Sequence, residues 1–143
     1  MIMHRFHALA ASALLLAGGF LVPAGTAQAG NVANAQLTCY VDTYAFDYPS
    51  IGSCGAAWTP GSASNPTVVV FEVTGLPPGY YTYSWTNLEG GGNNCGNGSV
   101  CLVPIATETY GDGYAAMAVT VTDLQTGAQN TVYADATYFD GWN

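Results

Sequence analysis

Along most of this chain apolar and polar residues alternate one for one, the spacing of strands with one buried face and one wet face. Between Ala35 and Phe46, Leu37, Cys39 and Val41 alternate with Tyr40, Asp42 and Tyr44, which predicts a first strand. Thr67–Thr74 is rich in β-branched residues and sets Val69, Phe71 and Val73 on one face, a strong strand signal. After the turn Gly75–Gly79, the strand Tyr80–Thr86 puts Tyr81, Tyr83 and Trp85 on one side, expected to be the core side. Val100–Ile105 reads as a short strand, with a further one expected near Ile105–Thr109. Tyr114–Thr122 alternates Ala115, Met117, Val119 and Val121 inward with Ala116, Ala118, Thr120 and Thr122 outward, and Asn130–Phe139 closes the series. Prolines and glycines mark Asp47–Pro66 as a loop, Asn87–Ser99 as a polar glycine loop and Asp123–Gln129 as a turn around Gly127. Short strands separated by frequent turns predict an all-β domain, an antiparallel sandwich of about six to eight strands.

The first residues break this pattern. Met1–Arg5 is basic, Ala8–Val22 is apolar, and Ala27-Gln28-Ala29 has the small-x-small form that signal peptidase reads. The expectation is a signal peptide over residues 1–29 and one domain over 30–143. The apolar run is about 15 residues, short of the roughly 20 that span a bilayer. A secreted or periplasmic product without membrane insertion is expected.

Composition sharpens the picture. Arg5, His4 and His7 are the chain's whole stock of basic side chains, and all precede residue 8. The nine carboxylates, Asp42, Asp47, Glu72, Glu89, Glu108, Asp112, Asp123, Asp135 and Asp140, all follow the apolar run. A domain with no lysine or arginine cannot neutralise phosphates, which excludes nucleic acid as a partner. Carboxylates that repel one another have folded pKa values above their unfolded ones, so stability should be greatest in acid. Cys39, Cys54, Cys95 and Cys101 are an even set in an exported domain and point to two disulfides. Three connectivities exist; Cys39–Cys54 with Cys95–Cys101 is preferred because each closes a short loop rich in Gly, Asn and Ser.

The same inventory limits chemistry. Without histidine or lysine no Ser or Thr hydroxyl can be activated as a nucleophile, so no enzyme activity and no catalytic residues are expected. Glu108 and Asp112 flank Tyr110-Gly111 and are expected to be solvated loop carboxylates. A Ca²⁺ site using Glu108, Asp112 and Glu89 is the metal role left open; no other cofactor is expected. The ten tyrosines exceed what one core can bury, so some must stand on a sheet face or rim. Trp58, in a Pro/Gly loop, and Trp142, near the end, are the best exposed candidates for ligand binding, with Tyr44 and Tyr133 beside them.

Tyr81–Trp85, followed by Gly113–Asp123 (GYAAMAVTVTD) and Thr126-Gly127, resembles the immunoglobulin-like sandwiches of bacterial secreted proteins, particularly the polycystic-kidney-disease-type domain. Trp85 matches that family's core tryptophan, and Val119–Asp123 its alternating Val/Thr strand closing on Asp. Thr86-Asn87 replaces the family's acidic glycine turn, and Ala115 stands where a tyrosine is usual. The resemblance covers roughly residues 67–136 and implies an immunoglobulin-like fold serving as spacer, binding module or adhesive unit. The expected function is a non-enzymatic binding or surface-interaction module for a protein or carbohydrate partner. The alternatives are a structural subunit pairing through strand edges, and a protease inhibitor built on the small Cys95–Cys101 loop.

Overall fold

The computed structural model describes residues 31–43, 47–61 and 63–141. The expected leader and two of the aromatic candidates, Tyr44 and Trp142, lie outside these residues. Eight strands follow a 3-10 turn at Val32–Asn34: β1 (Gln36–Val41), β2 (Ser50–Ile51), β3 (Ser53–Trp58), β4 (Thr67–Thr74), β5 (Tyr81–Asn87), β6 (Val100–Ile105), β7 (Tyr114–Asp123) and β8 (Gln129–Asp140). They form two four-stranded sheets with orders β2-β1-β4-β6 and β3-β8-β7-β5, here called sheets A and B. The fold is the expected β-sandwich with two disulfides.

The inward half of each alternating strand builds the core. Leu37, Cys39 and Val41 of β1 and Val69, Phe71 and Val73 of β4 meet Ala115, Met117, Val119 and Val121 of β7 and Ala134, Ala136 and Tyr138 of β8. Tyr138 is fully buried, and its hydroxyl donates to the Ser64 carbonyl at 2.8 Å, so its one polar atom keeps a partner. Trp85 is buried opposite Val119, and its indole N–H donates to the Gly98 carbonyl at 2.9 Å.

Three expectations need correction. Asp47–Pro66 is not all loop, since it contains β2 and β3. β3 reads Ser-Cys-Gly-Ala-Ala-Trp, with no β-branched residue and a central glycine, so local propensity hides it. The glycine has a packing cause: Gly55 is paired with Thr137 of β8, and a Cβ there would lie 2.6 Å from the threonine Oγ1. The second correction is that β3 and β8 run parallel, while every other pair is antiparallel.

The third is the strand expected near Ile105–Thr109: β6 stops at Ile105, and a loop follows. Thr107 is buried there, its N–H donating to Asn65 Oδ1 at 3.2 Å and its hydroxyl accepting from Asn65 Nδ2 at 2.7 Å. The Thr107 carbonyl accepts from the N–H groups of both Tyr110 and Gly111, which curls the chain into a turn. β1 is also shorter than expected, because Asp47 accepts from the N–H and hydroxyl of Thr43 and bends the chain after Val41.

The disulfides are Cys39–Cys54 and Cys95–Cys101. The first joins β1 of sheet A to β3 of sheet B; the second ties the glycine loop to β6. Their sequence separations are 15 and 6, worth about 3 and about 2 kcal/mol respectively in the chain-entropy treatment. The double variant Cys39→Ala/Cys54→Ala should therefore lose more unfolding free energy in urea than Cys95→Ala/Cys101→Ala. An equal or reversed ranking would show that loop closure is not what the inter-sheet bond contributes.

Candidate functional site

The carboxylates fall into local partnerships. Glu108 accepts from the N–H of Asp140 at 3.3 and 3.2 Å through its two oxygens, and Asp140 in turn accepts from the Thr109 hydroxyl. Asp112 accepts from the Tyr114 N–H at 3.2 Å, opening β7. Burial, and then the charge of Asp112 beside it, raise the Glu89 carboxyl above its usual range. A hydrogen bond from the Ala116 N–H opposes this, and the side-chain hydrogen bond to Asp112 adds to it. Glu89 and Asp112 thus stand side by side, and the shift falls on Glu89. Glu108 is drawn to Asp140 at the end of β8. Among the described residues no three His, Cys, Asp or Glu side chains group as a metal site.

The aromatic candidates separate by burial. Trp58 is half-buried, a correction to its expected exposure: its indole N–H donates to the Ala63 carbonyl at 3.0 Å, and its ring packs against the core. One edge meets Tyr110, with ring centroids 6.3 Å apart at 84°. Tyr133 is 73% exposed on the outer face of sheet B. Alternation along β7 and β8 sends Tyr114 and Phe139 to that same face, since Ala115 and Tyr138 point inward. Tyr114 lies opposite Thr137, a neighbour of Phe139 on that face; Tyr133 stands about 13 Å further along β8 at the usual rise per residue.

Between and beside these rings the face carries hydroxyls. Thr120 and Thr131 are paired, their Oγ1 atoms 2.8 Å apart, and the Gln129 amide donates to Thr122 Oγ1 at 3.1 Å. β5 contributes Thr82, Ser84 and Thr86 opposite Thr122, Thr120 and Ala118. Asp135, which accepts from the Ser53 hydroxyl, is the carboxylate on the strand segment between Tyr133 and Thr137. Sequence reading found Tyr133 but not Tyr114 or Phe139 as its companions; the cross-strand register needed to align them is not written in either strand alone.

Sheet A has a different outer face. Tyr40, Val70 and Leu102 lie in one row across β1, β4 and β6, and Leu102 is 59% exposed. Ile51 and Val100 end the next row, with Thr38 and Glu72 between them. The Cys95–Cys101 loop is exposed but tied to β5: its Gly98 carbonyl holds the Trp85 indole, and the neighbouring Asn93 amide donates to the Trp85 carbonyl at 2.9 Å.

The Glu89–Asp112 pair gives a pH dependence with a definite sign. A carboxyl whose folded pKa lies above its unfolded one holds its proton more tightly in the folded state. Stability is then full below the unfolded pKa and falls as pH rises from there through the folded pKa. The melting temperature should be higher near about pH 4.5 than near about pH 8, and Glu89→Gln should flatten that decline. Thermal melts across this range check it; a Glu89→Gln slope equal to that of the parent would dismiss the pair as the source.

Comparison with protein-family models, with curated proteins and with solved structures gives no match for this chain.

Proposed function

We propose that this chain is an exported, non-enzymatic recognition module that contacts a protein or glycan partner through the outer face of sheet B. The observation that carries the reading is the exposed line Tyr133, Tyr114 and Phe139 set among threonine and serine hydroxyls. Tyrosine offers a large flat contact at small entropic cost and keeps a polar tip, while the hydroxyls around it both donate and accept. Such a face suits a neutral, hydroxyl-bearing or amide-bearing surface better than an anionic one, because the domain brings only negative charge. The two disulfides fit an oxidising compartment, and among the described residues no helix is long and apolar enough to cross a membrane. The resemblance of residues 67–136 to polycystic-kidney-disease-type domains implies a spacer, binding or adhesive role of the same kind. The inhibitor reading draws less support, because the stapled loop is tied to Trp85.

Titration against neutral polysaccharides, together with capture of exported proteins, should find a partner. Tyr133→Ala should then weaken binding about tenfold or more, roughly 1.4 kcal/mol, without moving the melting temperature. Binding that survives Tyr133→Ala and Tyr114→Ala together would remove this face from the account.

A further inference from the structure

A sandwich of two open sheets has four edges, and three of these are blunted. β2 is two residues long. β6 carries Pro104, which removes a main-chain donor from its outer side. β5 is covered where Asn93 donates to the outward carbonyl of Trp85. β3 has six residues with no charge or proline, and Ser53, Gly55 and Ala57 along it are exposed.

The ladder shows which of its groups face away from β8. Asp135 N–H donates to the Gly52 carbonyl at 3.1 Å and Gly141 N–H to the Trp58 carbonyl at 2.7 Å. In a parallel pair this alternation turns the main chain of Gly52, Cys54, Ala56 and Trp58 toward β8. The N–H and C=O groups of Ser53, Gly55 and Ala57 therefore face away from it, where no strand of the described residues lies. Across from them is β1. Asp42 N–H donates to the Val68 carbonyl and the Leu37 carbonyl accepts from Gly52, so Val41 turns its main-chain groups to the outer side as well. Among the described residues β2 pairs with β1 only as far as Cys39.

Between these edges runs a groove of about 280 Å³, lined by Tyr40, Val41, Asp47, Tyr48, Gly55 and Ala57 among others. The Cys39–Cys54 disulfide links its two walls, which fixes their separation before anything binds. The groove's charge selects the occupant. Asp47 lies within it, Tyr48 is 78% exposed at its side, and β3 is paired to Asp135 at one end and Asp140 at the other. A second copy joined along β3 would bring only the same nine carboxylates to the complex. It would also bring no cation, since residues 30–143 contain none.

We propose that the β3 edge binds an extended segment of a partner protein bearing lysine or arginine, which adds to sheet B as a fifth strand. Main-chain hydrogen bonds to Ser53, Gly55 and Ala57 supply the pairing, as in strand addition generally. Asp47, with the faces of Tyr40 and Tyr48, holds the cationic side chains. This site is separate from the aromatic face, and the two stand or fall independently.

The test uses a short capped peptide of alternating valine and lysine, labelled for fluorescence anisotropy, against the full processed chain. Controls are the valine–glutamate peptide and the lysine peptide N-methylated at alternate residues. The parent should bind the lysine peptide, and either control should bind at least about tenfold more weakly. Ala57→Pro removes one outward donor and no ladder bond, and should match the loss seen with N-methylation. Asp47→Asn should weaken binding several-fold, while Tyr133→Ala should leave it unchanged. Equal binding of the N-methylated peptide would reduce the effect to charge attraction and overturn strand addition; the peptide control decides this even where Ala57→Pro does not fold. A concentration-dependent dimer abolished by Ala57→Pro would assign the edge to a second copy and overturn the proposal equally.

Discussion

With no cation in residues 30–143, no carboxylate of the domain has a side-chain counter-ion there. Main-chain N–H groups and hydroxyls take that role. Asp47 is held by Thr43, Asp112 by Tyr114, Asp123 by Gln125, Glu108 by Asp140 and Glu89 by Ala116. All but the last of these contacts close a turn or end a strand, so the acids shape the loops. Hydrogen bonds to a carboxylate favour its charged form, and the repulsion among neighbours opposes them. Glu89 is where the opposing influences win, because burial and Asp112 act on it together. The sheets themselves are joined by apolar contact and by the Cys39–Cys54 bond, the one covalent link from β1 to β3.

Much of this was legible from residue pattern. β4 and β6 have the boundaries that alternation gives; β7 differs from expectation by one residue at one end, and β5 and β8 by one residue at each end. These strands bury Val, Phe, Met or Trp on one face, so the period-two signal is strong. β3 was invisible for the opposite reason: Cys54, Ala56 and Trp58 do alternate inward, but among residues too small to announce a strand. Its partner β8 lies more than 70 residues away, and the demand for a glycine at position 55 exists only once Thr137 stands beside it. Similarly, Thr107 looked like part of a strand because its burial comes from Asn65, a contact between loops.

The candidate sites divide along the same line. Tyr133 could be found from its strand, because exposure follows from the inward direction of Ala134 and Val132. Trp58 could not, since whether an aromatic in a Pro/Gly segment is exposed depends on the partner its N–H finds, here the Ala63 carbonyl. Glu108 and Asp112 are close in sequence, yet the hydrogen bonds draw one to β8 and the other to Glu89. Proximity along a loop is a poor guide to which acids share a space.

Main-chain edges are absent from any list of reactive side chains, so an inventory of those side chains says nothing about them. A strand edge recognises any extended chain; selectivity must come from what lines its approach. In this domain the approach is acidic and aromatic, and the other long edges are closed by Pro104 and Asn93. Those closures prevent pairing at two places without adding charge, in a chain that has only one sign of charge to use. A β3 edge beside Asp47 and Tyr48 favours a cationic strand over a second copy, since every copy brings negative side chains and no cation.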